Sequence, residues 1–526
     1  MKILITDDIS DAGIEILKNS ATVDFKPVIK TEQLRSIIGD YEALIIRSQT
    51  KVTADVINAA DRLQVIGRAG VGIDNVDIHA ATTRGIYVVN STQSNIVSTA
   101  EHSIAMLCAA ARSIVKADSL LRSGIWNRDI KGIEIRNKVL GIIGLGRVGI
   151  EVAQLAKGLH MNVIAYDPLV SETVADRLGI TLVEFDNLLT SSDFITVHVP
   201  LNPRTENLIS KRQIDLMKPT AIVINCARGS IVDEEALNEA LNQGRIAGAA
   251  IDVFSQEPAT ENILVKNNKV TVTPHLAAST VEAEISTSVD IAEQVIAVLN
   301  GLPPRSPVNA PLIPSETITQ LGPYINVGRI IGKIASQLIK GQLNRITIRY
   351  EGEIAKENCE PIKFSSLSGV LETMTDERVN AVNAEAIAKR RGLEVTESKD
   401  NFCENYTNMI TVELHTASGS ALVAGSSLRG RTYLTRIGEY WLEIEPSDSY
   451  LMITEHKDRP GVVGAVGSIL GDSDVNISQM HVSRGVQRGG NAMMALCLDE
   501  PLSAECYNRI LAIPDMYKVV IVRLSG

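Results

Sequence analysis

The chain has 526 residues, of which 45% are hydrophobic, and a formal net charge of −11 at pH 7. This length exceeds a single hydrophobic core and predicts several domains. The acidic balance argues against nonspecific binding to nucleic acid or to an anionic membrane. The N-terminus lacks a signal-peptide pattern, no apolar run is long enough to span a bilayer, and the six cysteines contain no C-x-x-C pair. We therefore expect a cytoplasmic α/β protein with reduced thiols and neither a membrane segment nor a metal site.

Residues 1–97 alternate apolar strand patterns with helical patterns, which predicts a small parallel α/β unit. The predicted strands are Lys2–Thr6, Leu44–Ile46, Val65–Gly67 and Tyr87–Val89, and the predicted helices are Ala12–Lys18, Thr31–Ile38 and Thr53–Ala60. Two of the strands run into loops that begin with Arg47 and Arg68. Ligands of open α/β sheets lie beyond the carboxyl ends of the strands, so both arginines are candidates for holding an anion. The alternative is a pair of solvated surface arginines.

A long helical pattern from Asn95 to Leu121 leads into the segment Val139–Asp167, which has the pattern of a dinucleotide-binding unit. A strand is followed by G-x-G-x-x-G, an amphipathic helix and a second strand that ends at Asp167. The glycines permit a tight turn, close approach of a pyrophosphate and helix–strand packing. A carboxylate at Asp167 suits a ribose diol and repels a 2′-phosphate, which favours NAD over NADP. The alternative is a glycine-rich turn without a cofactor.

Three further predicted strands each end near a different polar residue. Ala221–Asn225 leads to Arg228, Ala247–Val253 leads to Glu257, and Lys269–Thr273 leads to His275. An imidazole can move a proton near neutral pH, a carboxylate can hold it, and a guanidinium matches a carboxylate ligand. Together with a nicotinamide, this set predicts oxidation of a 2-hydroxy acid. Individually, His275 could be a helix cap and Glu257 a surface acid.

Residues 1–313 resemble the D-isomer-specific 2-hydroxyacid dehydrogenase family through the stretches GLGRVG, NCARGSIVDEEAL, IDVFSQEP and TPHLAAST. The resemblance implies a flavodoxin-like substrate domain at 1–97 and 285–314 and a Rossmann NAD-binding domain at 98–284. The chain would return from the second domain to the first through the helix Val281–Leu299. It implies that Arg228, Glu257 and His275 are catalytic. The positions implied to contact NAD are Val71, Gly144, Gly146, Arg147, Val148, Gly149, Asp167, Val199, Pro200, Cys226, Ala227, Asp252, Leu276, Ala277 and Ala278.

The proline-rich segment 302–314 predicts a crossover or a linker to the rest of the chain. We expect residues 315–449 to form an α+β intervening domain. The predicted helices there are Ile325–Lys340 and Ala381–Arg391, and the predicted strands are Arg345–Glu351, Met409–Leu414 and Tyr440–Ile444. The Gly/Ser stretches at 418–420 and 425–430 suit hairpin turns, with an anion pocket as the alternative.

Residues 450–526 follow a β-α-β-β-α-β rhythm, which predicts a ferredoxin-like fold. This unit resembles the ACT domain, an amino-acid-sensing module. The resemblance implies effector contacts at His456, Asp458, Gly461 and Asn476, with L-serine as the possible effector. Many ACT domains have asparagine at the position of Asp458. The alternative is an ACT fold used only for subunit contacts.

The domain series resembles the long members of the family, which oxidise 3-phospho-D-glycerate to 3-phosphohydroxypyruvate in the first step of L-serine biosynthesis. This resemblance implies a homotetramer and substrate contacts at Arg47, Ser48, Arg68, Gly70, Asn75 and Arg128. In this family, the segment that holds Arg128 and Lys131 can reach a neighbouring subunit. Two other functions stay open at this point. One is a glycerate or lactate dehydrogenase with a regulatory tail, and the other is a non-catalytic NAD-sensing protein.

Overall fold

The computed structural model describes residues 1–312, 315–375, 377–446, 450–485, 487 and 489–524. Four β-sheets organise this part of the chain. Two are parallel and belong to the N-terminal half, whereas the two in the C-terminal half are mainly or wholly antiparallel. None of the helices in the described ranges combines the length and hydrophobicity needed to cross a bilayer.

The first sheet is flavodoxin-like, with the parallel order β2-β1-β3-β4-β5. Its strands are β1 (Lys2–Ile5), β2 (Thr22–Phe25), β3 (Ala43–Ile46), β4 (Val65–Arg68) and β5 (Tyr87–Asn90). Its helices are α1 (Asp11–Lys18), α2 (Thr31–Ile37), α3 (Ala54–Asn58) and α4 (Ile78–Thr83). Neither β2 nor α4 was predicted from the sequence. Strand β2 is a half-exposed edge strand and so lacks the apolar run that marks the central strands.

The second sheet has the parallel order β12-β11-β10-β9-β6-β7-β8. The six strands β6 to β11 follow the Rossmann order, and the switch point lies between β6 and β9. Its strands are β6 (Val139–Ile143), β7 (Asn162–Tyr166), β8 (Thr181–Leu182), β9 (Phe194–Val197), β10 (Ile222–Asn225), β11 (Gly248–Ile251) and β12 (Val270–Val272). Its helices are α5 (Ile96–Arg112), α6 (Ile114–Arg122), α7 (Arg147–Gly158), α8 (Glu172–Arg177), α9 (Phe185–Ser191), α10 (Lys211–Leu216) and α11 (Glu234–Asn242).

The uninterrupted helix expected from Asn95 to Leu121 is wrong. Ser113 adopts a left-handed conformation with φ of 50°, which ends α5 and lets α6 start in a new direction. The expected return helix is confirmed as α12 (Val281–Leu299). Its buried Ile291 and Val295 pack into the core of the first sheet, so α12 ties the two N-terminal sheets together.

The third sheet has the order β14-β13-β15-β16-β17-β18. Its strands are β13 (Leu343–Gly352), β14 (Glu394–Asp400), β15 (Asn408–Thr416), β16 (Gly419–Leu428), β17 (Arg431–Ile437) and β18 (Tyr440–Ile444). Its helices are α13 (Ser315–Leu338), α14 (Glu360–Leu371) and α15 (Ala384–Arg390). The turn expected at 425–430 is partly wrong, because Gly425 to Leu428 belong to β16 and only Arg429 and Gly430, both with positive φ, form the turn.

The fourth sheet has the antiparallel order β20-β21-β19-β22, and the expected ferredoxin-like topology is confirmed. Its elements are β19 (Tyr450–Lys457), α16 (Val462–Asp472), β20 (Ile477–Arg484), β21 (Asn491–Leu498), α17 (Ala504–Leu511) and β22 (Met516–Arg523). The third and fourth sheets share one hydrophobic core. The Gln337 amide on α13 also exchanges two hydrogen bonds of 2.9 Å with the backbone of Arg523, which satisfies part of the edge strand β22.

Candidate active site

A cavity of about 990 Å³ lies between the first and second sheets and collects most of the predicted catalytic and substrate residues. From the first sheet it is lined by Arg47, Ser48, Arg68, Gly70, Val71 and Asn75, and from the second by Arg228, Glu257, His275 and Ala278. The loop 144–149, Asp167 and Arg128 do not line this cavity. Residues from separate strand ends therefore meet in one cleft, as expected from the parallel topology.

His275 and Glu257 form a hydrogen-bonded pair in the cleft. His275 Nδ1 lies 2.9 Å from Glu257 Oε2, and Glu257 Oε1 accepts a bond of 3.1 Å from the amide of Phe254. Both carboxylate oxygens are therefore engaged, which fixes the carboxylate and, through it, the plane of the imidazole. Among the described residues, His275 Nε2 has no hydrogen-bond partner. This arrangement leaves Nε2 available for proton exchange with a ligand.

The loop that carries His275 is held by the buried carboxylate of Asp252. Asp252 accepts hydrogen bonds from the Thr273 hydroxyl at 2.6 Å and from the amides of Leu276 at 2.8 Å and Ala277 at 3.0 Å. Burial opposes ionisation, but these bonds and one from His102 outweigh it and hold the pKa of Asp252 below its usual value. His102, on α5, lies 3.2 Å from the Thr273 hydroxyl. His102 was not predicted as part of the site, because a lone histidine in a helix carries no local signal.

Arg228 enters the cleft from a turn just beyond β10. The Asn225 side chain builds this turn, since its amide donates to the Arg228 carbonyl at 2.9 Å and its Oδ1 accepts from the Ala227 amide at 3.0 Å. A Cβ at Gly229 would overlap the backbone of Phe254, so glycine permits this loop to pack against the loop that carries Glu257. The guanidinium of Arg228 remains one-third exposed, and its Nε lies 3.7 Å from Asp74 Oδ2.

Arg47 and Arg68 place two more guanidinium groups in the cleft. Burial, with the nearby charges of Arg228 and Arg47, lowers the pKa of Arg68 to about 10, so it remains a cation at neutral pH. Its buried Nε has no hydrogen-bond partner among the described residues. A buried donor without an acceptor, surrounded by like charges, favours an anionic ligand.

The loop that carries Arg47 is held by two side chains. The buried Asp7 carboxylate accepts from the Arg47 amide at 2.6 Å and from the Thr50 hydroxyl at 2.6 Å. The Asn75 amide donates to the carbonyls of Arg47 at 2.7 Å and of Thr50 at 2.6 Å. Both side-chain N–H donors of Asn75, which was predicted as a substrate contact, are therefore bonded to the loop. Asp7 was not predicted as part of the site, because its partners lie about 40 residues away in the sequence.

The nucleotide loop fits a dinucleotide. A Cβ at Gly144, where φ is 95°, would approach the carbonyl of His198 to 2.6 Å, whereas a Cβ at Gly146 would meet no atom within 4 Å. A Cβ at Gly149 would overlap the carbonyl oxygen of Gly144, so the third glycine lets α7 approach the turn. The space beside Gly146, at the N-terminus of a helix of 12 residues, suits a pyrophosphate.

The Asp167 carboxylate closes the other end of this loop. Its Oδ2 accepts from the Leu145 amide at 2.8 Å and its Oδ1 from the Leu169 amide at 2.8 Å. Each oxygen keeps a lone pair, so both can also accept a ribose hydroxyl. The negative charge would repel a 2′-phosphate at the same place, which supports NAD rather than NADP.

The other predicted NAD positions lie around the same sheet edge. Val148 is the second residue of α7, Val199 and Pro200 follow β9, Cys226 and Ala227 follow β10, and Leu276 follows His275. Arg147 reaches across to Thr92, with Nη1 3.4 Å from its hydroxyl. Cys226 is buried, and burial raises the pKa of its thiol to about 12, so it is neutral. The positions predicted to contact NAD in the second domain therefore lie along one edge of its sheet.

Two sets of predicted residues are not brought together within one chain. Arg128 is exposed and lies outside the cleft. Asn476 precedes β20 at the end of the fourth sheet where Ile477 pairs with Leu498, whereas His456 lies at the opposite end, where Arg484 pairs with Ala492. Seven strand residues separate these ends, a distance of about 23 Å. The four predicted effector residues therefore do not meet within one chain, and their contact with an effector stays a prediction.

His456 lies near the end of β19, and Asp458 and Gly461 follow in the loop before α16. His456 is buried, and burial lowers the pKa of its imidazole despite the nearby charge of Asp458. Asp458 Oδ2 lies 3.1 Å from Arg484 Nε, so its carboxylate is already paired. Gly461 has φ of 93° and precedes α16, where no atom would touch a Cβ.

Comparison with known proteins agrees with this geometry. Residues 104–277 match the D-isomer specific 2-hydroxyacid dehydrogenase NAD binding domain, and residues 320–436 match the D-3-phosphoglycerate dehydrogenase intervening domain. The chain is 42% identical over 528 residues to D-3-phosphoglycerate dehydrogenase of Archaeoglobus fulgidus, covering 100% of both chains. It is 41% identical over 526 residues to the Synechocystis sp. protein of that name, covering 99% of this chain and 95% of the relative.

Solved structures resemble the N-terminal half. The apo-structure of D-lactate dehydrogenase from Escherichia coli is 25% identical with a TM-score of 0.53, covering 59% of this chain and 100% of that one. The pyruvate reductase of Chlamydomonas reinhardtii is 27% identical with a TM-score of 0.53, covering 58% of this chain and 97% of that one. The full-length identity shows that the chain belongs to the D-3-phosphoglycerate dehydrogenases, within the D-isomer-specific 2-hydroxyacid dehydrogenase family.

Proposed function

We infer that the chain catalyses the NAD-dependent oxidation of 3-phospho-D-glycerate to 3-phosphohydroxypyruvate, the first step of L-serine biosynthesis. The observation that carries this inference is a hydrogen-bonded histidine–glutamate pair in a cleft with three arginines, His275 Nδ1 lying 2.9 Å from Glu257 Oε2. The substrate has a carboxylate, a hydroxyl on C2 and a phosphate, and the cleft offers a group for each. The full-length relatives carry the same activity in their names.

Each polar residue of the cleft has a distinct role in the reaction. NAD, when bound, accepts the hydride from C2 of the substrate. His275 Nε2 removes the proton of the C2 hydroxyl, and Glu257 stabilises the imidazolium through Nδ1. Arg228 holds the substrate carboxylate with its planar fork. Arg47 and Arg68, together with Ser48 and Gly70 of the same loops, hold the phosphate, and Arg128 contributes from a neighbouring subunit.

We also propose the division of the chain into four domains. Residues 1–97 and 285–314 bind the substrate, residues 98–284 bind NAD, residues 315–449 form the intervening domain, and residues 450–526 form an ACT domain. One sheet for each unit supports this division, and so does the packing of α12 into the core of the first sheet. The third and fourth sheets share a core, so the last two domains pack closely together.

A spectrophotometric assay of NADH formation tests the function. The purified protein should reduce NAD with 3-phospho-D-glycerate and with a far lower kcat/KM on D-glycerate or D-lactate. Comparable kcat/KM values on the unphosphorylated acids would favour a glycerate or lactate dehydrogenase. No NADH with any of the three acids, despite NAD binding, would favour a non-catalytic NAD sensor.

Replacing Arg47 with alanine should raise the KM for 3-phospho-D-glycerate about tenfold or more, because one charge-assisted contact to phosphate is lost. The KM for D-glycerate should stay within about twofold, since that acid has no group at this place. Steady-state kinetics with both acids measures the difference. Arg35→Ala, which removes an exposed arginine on α2 of the same domain, is the matched control. An equal rise in both KM values would contradict the phosphate role.

We propose that the protein works as a homotetramer in the cytoplasm. Apolar side chains exposed around α5 and α6 support association with further copies, among them Ile114, Leu121, Ile125 and Trp126, the last 79% exposed. The six cysteines form no disulfide, and all six lie in the described ranges, which suits a reducing compartment.

We also propose that L-serine regulates the enzyme by binding to the ACT domain. Because Asn476 and His456 lie at opposite ends of one sheet, a shared site would have to be assembled from two subunits. Calorimetry should therefore detect serine binding to the intact oligomer, accompanied by lower activity. Absence of a binding signal at millimolar serine, with the oligomer intact by light scattering, would leave the ACT domain with a role in subunit contacts alone.

A further inference from the structure

We propose that Glu284 is a positioning residue for the phosphate subsite, which orients Arg47 and so sets the preference for phosphorylated over unphosphorylated substrates. This inference rests on the proposed function of the cleft. Glu284 lies in the first turn of α12 and lines the same cavity as Arg47 and His275.

The contact between the two side chains is direct. Arg47 Nη1 donates to Glu284 Oε1 at 2.9 Å and to the backbone carbonyl of Asp8 at 3.2 Å. These two bonds use both hydrogens of Nη1. Among the described residues, Nε and Nη2 have no partner, so three donors of the guanidinium remain for an anion. Glu284 thus fixes one corner of the group and leaves the others for the ligand.

The geometry of this pair matters more than its strength. The side chains of Arg47 and Glu284 are 35% and 42% exposed, and ion pairs at that exposure contribute little to stability. An arginine side chain loses considerable rotamer freedom when it is held in one orientation. Glu284 therefore acts by restricting Arg47 before the ligand arrives, which lowers the entropic cost of binding the phosphate.

The backbone of Glu284 is itself fixed at the junction of the two N-terminal sheets. Its carbonyl accepts a hydrogen bond of 2.7 Å from the Ser288 hydroxyl, and that hydroxyl oxygen accepts one of 3.0 Å from the Ser10 amide. The N-cap Thr280 accepts from the Ala283 amide at 3.1 Å and lies 2.8 Å from the Ser98 hydroxyl. The first turn of α12 thus connects the phosphate subsite with the loop that carries His275.

Arg68 does not need such a partner. It is mostly buried, and its guanidinium lies against Gly70, where a Cβ would overlap it. Packing alone therefore restricts Arg68. Arg47 instead lies at the cavity surface, where a carbonyl and the Glu284 carboxylate are its partners.

The test compares two variants of Glu284 with a matched control. Glu284→Ala should raise the KM for 3-phospho-D-glycerate about fivefold, less than Arg47→Ala does, because the phosphate must then order the freed Arg47 side chain. Its kcat and its KM for D-glycerate should change less than about twofold. Glu284→Gln keeps an acceptor oxygen for Arg47 and should restore the KM for the phosphorylated acid to within about twofold of the original value. Glu282→Ala removes the same charge from the same helix turn, outside the cavity, and should have no effect.

Three outcomes would overturn the inference. A lower KM for 3-phospho-D-glycerate in both Glu284 variants would mean that the carboxylate only repels the phosphate. Equal changes for both acids would mean a structural role, and an unchanged KM in the alanine variant would mean no role. The unmodified enzyme is assayed first. If it forms no NADH with 3-phospho-D-glycerate, the proposed function itself fails, and a Glu284 effect cannot be confused with that failure.

Discussion

Replacing His275 with alanine should lower kcat for 3-phospho-D-glycerate by about 10² to 10⁴, because the C2 hydroxyl then loses its proton acceptor. Affinity for NAD should change less than about twofold, since the Leu276 and Ala277 amides that bind Asp252 remain in place. Stopped-flow or steady-state kinetics gives kcat, and calorimetry gives the NAD affinity.

The exposed His79 on α4 provides the control for this experiment. His79→Ala should leave both kcat and NAD affinity unchanged. Parallel losses of turnover and NAD affinity in the His275 variant would argue that the imidazole supports the cofactor loop rather than moving a proton. Glu257→Gln should reduce kcat less than His275→Ala does, because the proton acceptor itself is still present.

Replacing Arg228 with alanine should lower kcat/KM by about 10², because charge-assisted hydrogen bonds to a carboxylate contribute about 3 kcal/mol. Both 3-phospho-D-glycerate and D-glycerate carry that carboxylate, so the loss should be the same for both. This distinguishes Arg228 from Arg47, whose loss should affect only the phosphorylated acid. Arg228→Lys should recover part of the activity, because lysine restores the charge without the planar fork.

Arg212, paired with Asp186 on the surface of the NAD-binding half, is the matched control for Arg228. Arg212→Ala should leave both kcat/KM values unchanged. If the Arg228 variant lost activity only on the phosphorylated acid, the assignment of carboxylate and phosphate to the arginines would be reversed.

The parts of this fold that could be predicted from the sequence are those marked by a pattern of neighbouring residues. The strand–glycine–helix–strand unit ending at Asp167 and the helix Val281–Leu299 appear as expected. In contrast, α14 was missed. Ten of its twelve residues are buried, several of them serines and a glycine, so no polar face alternates with an apolar one. Strand β16 was not predicted, because its glycine and serine residues are typical of turns. Hydrogen bonds to the neighbouring strands β15 and β17 nevertheless hold it in a strand conformation.

The same distinction applies to the site. Arg228, Glu257 and His275 were predictable because each follows a strand of one parallel sheet, and such ends meet in space. The roles of His102 and Asn75 depend on partners far away in sequence, at Thr273 and Arg47. Asn476 was grouped with His456 by motif alone, and only the antiparallel register shows that the sheet separates them.

The central claim is that an imidazole held by Glu257 takes the proton of the substrate hydroxyl beside the nicotinamide. A crystal structure of the enzyme with NAD and 3-phosphohydroxypyruvate tests this claim most directly. We predict that His275 Nε2 lies about 2.6–3.2 Å from the C2 oxygen, that Nδ1 remains bonded to Glu257, and that Arg228 holds the carboxylate. A ternary complex in which the His275 ring is turned away from the C2 oxygen, with another group in its place, would contradict the account.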